Sequence, residues 1–162
     1  MSSVTKKAVK AGKYVNTGHV DTVIKNYKQE RWIHNSKRIG KEDSLSVWYS
    51  VEELEDFLAT IKQNGGDGVR MYFGTYDAEK APDPLYAGRQ TVVLVATKLK
   101  ETVFGEANKD LYIQTDKGTN ILAYNIGKLC PPFCGNGGTT TGGGIEEIGI
   151  SLVDKGDGFV VV

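Results

Sequence analysis

The stretch SVEELEDFLATIKQNGG constrains the fold more than any other part of the chain. Ser50 followed three residues later by Glu53 forms a capping box, in which each side chain satisfies a backbone N–H that the first helical turn leaves open. Leu54, Phe57, Leu58 and Ile61 then recur at i, i+3, i+4 and i+7, one face of a 3.6-residue helix, and Gly65-Gly66 supplies the stop. The spacing predicts a helix over residues 51–64. Its acidic first turn, Glu52, Glu53, Glu55 and Asp56, suits the positive end of the helix dipole and needs no ligand to explain it.

The flanks of this helix read as strands. SLSVWYS, residues 44–50, alternates Leu45, Val47 and Tyr49 against Ser46 and Trp48, and GVRMYFGTY, residues 68–76, follows on the other side. Strand, helix and strand over residues 44–75 make a β-α-β unit, whose two strands are parallel if they share a sheet. QTVVLVATK, residues 90–98, is expected to return antiparallel beside 68–75. An earlier helix is predicted over 17–33, with Val20, Val23, Ile24, Tyr27 and Arg31 along one face and Lys25 and Lys28 turned toward water. Short apolar stretches at 111–114, 121–125, 148–153 and 158–162 would add strands.

A chain of 162 residues is the size of one ordinary domain. The expected architecture is therefore α+β, a single domain with a mixed β-sheet and two helices on one face. Residues 1–15 form a basic arm, 16–134 the α+β domain, 135–144 a Gly/Thr-rich tether, and 145–162 a terminal β segment of the same domain or of a subunit contact.

The net charge of zero hides an uneven distribution: residues 1–41 hold ten Lys or Arg against Asp21 and Glu30, a net +8 that the remainder offsets. Such an arm can neutralise phosphates or can dock on acidic surface of its own chain or a neighbour. Overall neutrality and the lack of any nucleic-acid module favour docking, so nucleic acid is not the expected partner. No run approaches the ~18 apolar residues of a membrane span, and no apolar run follows the first lysines, so neither a membrane partner nor standard export is expected. Two cysteines are few for a small secreted scaffold, which points to a reducing cytoplasm.

Period-2 alternation divides residues 69–76 into two faces, Val69, Met71, Phe73 and Thr75 against Arg70, Tyr72, Gly74 and Tyr76. The second is a ligand-binding candidate: Arg70, Tyr72 and Tyr76 form an arginine–tyrosine wall able to recognise a carboxylate or phosphate, with Asp77 or Glu79 as a base. Its bland counterpart is an arginine lying across tyrosine rings or paired with Asp67 or Asp77. His19 and His34 stand in no catalytic constellation, G-x-S-x-G is absent, and the glycine-rich segment 135–144 has no lysine for a phosphate loop. Cys130 and Cys134 supply at most two thiolates where structural zinc needs four ligands. They are weak metal candidates, and a pair of thiols in a proline-stiffened turn or a local disulfide are the other readings. No metal and no cofactor are expected.

The segments SVWYSVEELEDFL, GVRMYFGTY and LCPPFC together resemble a group of small uncharacterised bacterial proteins that share a G-V-R-x-Y-F-G strand and a late C-P-P-x-C segment. The resemblance spans residues 44–135. It implies a bacterial source and a shared fold, and it brings no activity. The functional expectation is a cytoplasmic, non-enzymatic binding or assembly protein, whose partner is itself or another protein. It self-associates through the terminal strand Phe159, Val160, Val161 and Val162 and the charge-complementary arm. The alternative is a domain that binds, or a hydrolase that acts on, a small anionic ligand at Arg70, Tyr72 and Tyr76.

Overall fold

The computed structural model of the chain describes residues 8–134 and the backbone of two short strands within 145–162. The first seven residues of the basic arm, the tether 135–144, residues 145–151 and 155–158, and Val162 lie outside the described residues, and with them parts of the expected strands at 148–153 and 158–162. The chain is α+β, as expected.

The first helical region runs without a break through α1 (Thr17–Tyr27), a π-helical turn (Lys28–Trp32) and α2 (Ile33–Ile39). Asn16 caps it by accepting the His19 N–H at 2.9 Å, and Gly40, at φ 72°, ends it in the left-handed conformation that glycine adopts without a Cβ clash. It passes the expected end at residue 33 because no stop signal precedes Gly40. In the π turn the Ile33 N–H reaches back to the Lys28 carbonyl, five residues away. The extra residue rotates the helix face, so that Lys28, expected toward water, is only 2% exposed and Trp32 fully buried. Val20 and Val23, expected on the packed face, are 41% and 51% exposed.

The second helix, α3 (Val51–Gln63), has both capping-box bonds: Ser50 Oγ accepts the Glu53 N–H at 3.1 Å and Glu53 accepts the Ser50 N–H at 2.7 Å. Gly66 closes it tightly, since a Cβ there would stand 2.5 Å from the Ile61 side chain.

The strands are β1 (Ser46–Trp48), β2 (Gly68–Thr75), β3 (Gln90–Thr102), β4 (Gly105–Asp110), β5 (Tyr112–Thr115), β6 (Gly118–Ile121), β7 (Ala123–Tyr124), β8 (Lys128–Cys130), β9 (Leu152–Asp154) and β10 (Phe159–Val161). The strand–helix–strand order β1-α3-β2 is present, but β1 and β2 do not share a sheet. β1 pairs antiparallel with β8, Ser46 opposite Cys130 and Trp48 opposite Lys128, while β2 lies beside β3 in the order β2-β3-β4. The expected mixed sheet and parallel β-α-β crossover are thereby corrected. The physical reason is sequential: β2 takes its neighbour from the next strand in the chain, across the connection 76–89, and the three-residue β1 is left to β8.

The described residues gather in two compact units, one of residues 8–12, 49–73 and 92–125, the other of 13–48, 74–91, 126–134 and the terminal strands. Each is assembled from separate chain segments, so they are not domains in series. In the first, Phe57 and Ile61 of α3 meet Leu94 and Ala96 of β3, with Leu54, Val69, Val92, Leu111 and Leu122 packed around them. The Tyr124 ring stacks on Phe57 at 5.2 Å and its hydroxyl donates to Glu53 at 2.8 Å, so one carboxylate serves both the helix cap and β7.

The second unit centres on Trp32 and Leu129, both fully buried. Around Trp32 lies a polar knot of loop residues. The indole N–H donates to the Asp43 carbonyl at 2.8 Å, and the Asp43 N–H donates to Ser36 Oγ at 2.9 Å. The Asp43 carboxylate accepts the N–H groups of Ser44 and Gln90 at 2.8 and 2.7 Å, and the Tyr27 hydroxyl donates to the Gln90 side chain at 2.6 Å. Arg89 donates to the carbonyls of Leu85 and Glu42, and burial pushes its guanidinium toward lower pKa. These bonds satisfy polar groups that would otherwise be costly to bury.

Candidate functional site

Arg70 and Tyr72 point from β2 to one carboxylate, that of Asp110 at the end of β4. The Arg70 guanidinium meets Asp110 Oδ1 at 2.5 Å and the Asn108 carbonyl at 2.7 Å, and the Tyr72 hydroxyl donates to Asp110 Oδ2 at 2.5 Å. Two strand spacings separate β2 from β4, roughly 9.5 Å, which a fully extended arginine spans. The guanidinium also lies 5.9 Å from the centre of the Tyr72 ring. Its pKa is pushed up, first by the Tyr72 hydroxyl, with partial burial acting against it and the Asp110 charge adding to the rise. Arg70 thus pairs with neither Asp67, whose carboxylate accepts the Leu99 N–H, nor Asp77, which closes a turn onto the N–H groups of Glu79 and Lys80.

Of the three residues expected to form an anion-recognising wall, Arg70 and Tyr72 are brought together and Tyr76 is not. Tyr76 follows the end of β2, belongs to the second unit, and stacks on Tyr86 at 5.6 Å. The fork of Arg70 already holds a carboxylate, so the arrangement is a cross-strand clamp. Asp77 spends one carboxylate oxygen on its turn, and Glu79 is exposed beside it.

His19 and His34 are both exposed on the first helical region. Cys130 and Cys134 are joined by a disulfide, S–S 1.97 Å and Cα–Cα 4.7 Å. Neither sulfur is a thiolate ligand, which removes the metal reading of this pair, and the reading as two thiols is corrected with it. The bridge closes the loop after β8, where Phe133 packs edge-on to Tyr86 at 5.6 Å and the Tyr86 hydroxyl accepts the Leu129 N–H. Among the described residues no cluster of three His, Cys, Asp or Glu is placed to hold a metal, and no helix is long and apolar enough to cross a membrane. Phe159, Val160 and Val161 form β10, which pairs antiparallel with β9, Phe159 opposite Asp154.

The feature that sequence reasoning passed over is the other face of β2. Val69 packs against the α3 core, but Met71 and Phe73, on the same face by alternation, are 62% and 85% exposed. Among the described residues β2 has one neighbour, β3, so its outer edge is free. Edge strands of soluble proteins usually carry lysine, proline or a bulge that discourages pairing. Residues 68–75 contain neither lysine nor proline, and their one charge, Arg70, is turned onto Asp110. The available signal was the length of the apolar face: three large side chains in β2 against a helix whose own stripe is short.

A groove of about 690 Å³ lies elsewhere in the first unit, between the end of α3 and the β3–β4 hairpin, lined by Lys62, Lys98, Lys100, Glu101 and Glu106 among others. Lys98 donates to the Gly65 carbonyl at 2.6 Å and so closes the helix terminus. Its lining carries charges of both signs. Comparison with known proteins finds no matching family model, no matching curated protein and no matching solved structure.

Proposed function

We propose that this chain is a binding or assembly protein with no catalytic centre of its own, associating with another polypeptide along the free edge of β2. The observation that carries this reading is the exposure of Met71 and Phe73 on a strand with one neighbour. An added strand would gain the main-chain ladder and bury both side chains. Full burial of each is worth about 1.5–3 kcal/mol, most of it still to be gained at the present exposures. The anionic-ligand or hydrolase alternative is weaker, because a ligand must displace Asp110 from Arg70. In this reading β10 and the basic arm serve as accessory contacts.

The cysteines bear on the compartment. Both are used in one disulfide, which persists where the surroundings are oxidising. An oxidising compartment is therefore favoured over the cytoplasm that the cysteine count suggested. Alkylation of the protein in its native cells before lysis tests this; two modified cysteines per chain would restore the cytoplasm.

Phe73→Lys tests the functional reading. A surface substitution away from special features changes stability within about 0.5 kcal/mol, so the melting temperature stays nearly constant while association measured by sedimentation is lost. Association that survives Phe73→Lys unchanged removes the β2 edge from the account.

A further inference from the structure

We infer that the occupant of the β2 edge is a second copy of this chain, paired antiparallel about a two-fold axis at Tyr72. This rests on the edge-association reading above. The geometry that points to it is the self-complementarity of the strand. In an antiparallel pair, directly opposite residues lie on the same face of the sheet. A two-fold axis at Tyr72 sets Met71 opposite Phe73 of the partner subunit, and Phe73 opposite Met71 of the partner subunit. The four exposed apolar side chains then form one cluster, and the two Tyr72 side chains meet on the other face.

Other registers do worse for stated reasons. A shift by one residue puts the Met71 face of one copy beside the Arg70 face of the other. An axis at Met71 keeps the faces matched but spends Phe73 on Val69 of the partner subunit, which already packs against its own core. An axis at Phe73 leaves Met71 opposite Thr75 of the partner subunit. Only the axis at Tyr72 pairs the two exposed residues with each other.

Charge permits a second copy, and area sets how firmly it is held. The edge offers no charge to a strongly acidic or basic partner, because Arg70 is held by Asp110, and a chain of net charge zero does not repel its copy. Met71, Tyr72 and Phe73 are 62%, 42% and 85% exposed. With large side chains burying about 150–250 Å² each, the two copies together would cover on the order of 800 Å². That falls below the roughly 1,200 Å² of a standard interface, in the range of weak and transient association, so the dimer is reversible.

The test combines sedimentation with thiol pairing, since both native cysteines are locked in their own bridge. Wild-type protein is expected to pass from monomer toward dimer as its concentration rises from about 5 to about 500 μM, the span suited to weak association, and Phe73→Lys to shift the midpoint at least tenfold upward. Mixing Met71→Cys chains with Phe73→Cys chains should give a mixed disulfide dimer. Met71→Cys alone should not, because its partner copy lies on the diagonal, at about 7–8 Å. Circular dichroism confirms that each variant is folded. A dimer that Phe73→Lys dissolves but that fails the mixed cross-link overturns the Tyr72 axis and leaves edge association standing. A wild-type chain monomeric throughout overturns the second copy as occupant. Binding to a different protein that Phe73→Lys abolishes would then keep the edge reading, and binding indifferent to Phe73→Lys would end both.

Discussion

Trp32→Phe removes the only indole N–H aimed at the Asp43 carbonyl while keeping an aromatic ring in the same pocket. Trp32 is fully buried and the bond is 2.8 Å long, so the change orphans a buried acceptor and opens a small void. An unsatisfied buried carbonyl costs about 1–3 kcal/mol. A void of roughly 30–40 Å³ at about 24 cal/mol per Å³ adds about 1 kcal/mol. The sum, about 2–4 kcal/mol, corresponds to a fall in Tm of about 5–15 °C for a chain of this size. Urea unfolding followed by far-ultraviolet circular dichroism measures it. Fluorescence supplies an internal control, because Trp48 is 61% exposed and becomes the sole emitter in the variant. Emission should therefore move to longer wavelength in the folded state, before any denaturant is added. A loss below about 0.5 kcal/mol, the range of ordinary surface changes, would refute the claim that the knot around Asp43 holds this unit together.

The same knot has an alkaline limit. Burial, and then the charge of Asp43, push the Tyr27 hydroxyl up to about 12. Its contribution is full below about pH 10, the ordinary tyrosine value, and is lost as the pH rises toward 12, where ionisation is no longer penalised only in the folded chain. A loss of stability across that window is expected in the wild type and should be smaller in Tyr27→Phe, the remainder coming from the Tyr86 and Tyr124 hydroxyls, which are also raised; urea midpoints at successive pH values read it. At the acid end, the Ser50 N–H, then the Tyr124 and Ser50 hydroxyls, hold the Glu53 carboxylate below its usual range. Its stabilisation is present above about pH 4.3 and is lost as the pH falls through the depressed value. Glu53→Gln should accordingly flatten the acid limb of the melting temperature against pH, and should also soften the alkaline limb, because the hydrogen bond to Glu53 is the first cause that raises the Tyr124 hydroxyl.

The parts of the fold legible from the residues were those decided within a few positions. Ser50, Glu53 and the Leu54–Phe57–Ile61 spacing specify α3 to within one residue, because capping and periodicity act over single turns. The π turn at 28–32 breaks that logic: it leaves the composition of a helix unchanged while rotating which side chains are buried, so Lys28 was assigned to water. Strand alternation identified β1 and β2 but not their neighbours, since pairing depends on what else competes for each edge. The Asp43 knot joins residues 27, 32, 36, 43, 44 and 90, each of which reads locally as ordinary turn or helix polarity. Arg70 was read as an anion-binding residue or as one lying across tyrosine rings or paired with Asp67 or Asp77, whereas its carboxylate partner lies forty positions away on a strand that no motif marks. The exposed side of β2 was hidden for a related reason. Alternation separates two faces of a strand, and only the reach of α3 decides that Val69 is covered while Met71 and Phe73 are not.

The central claim, that the outer edge of β2 is a pairing surface, is tested most directly by amide hydrogen exchange at two protein concentrations. Protection of the amides in residues 68–75 should rise between about 5 and 500 μM, the span suited to weak association, while that of residues 105–110, the opposite edge of the same sheet, stays constant. Exchange in β2 that is identical at both concentrations, with or without added partner protein, would contradict it.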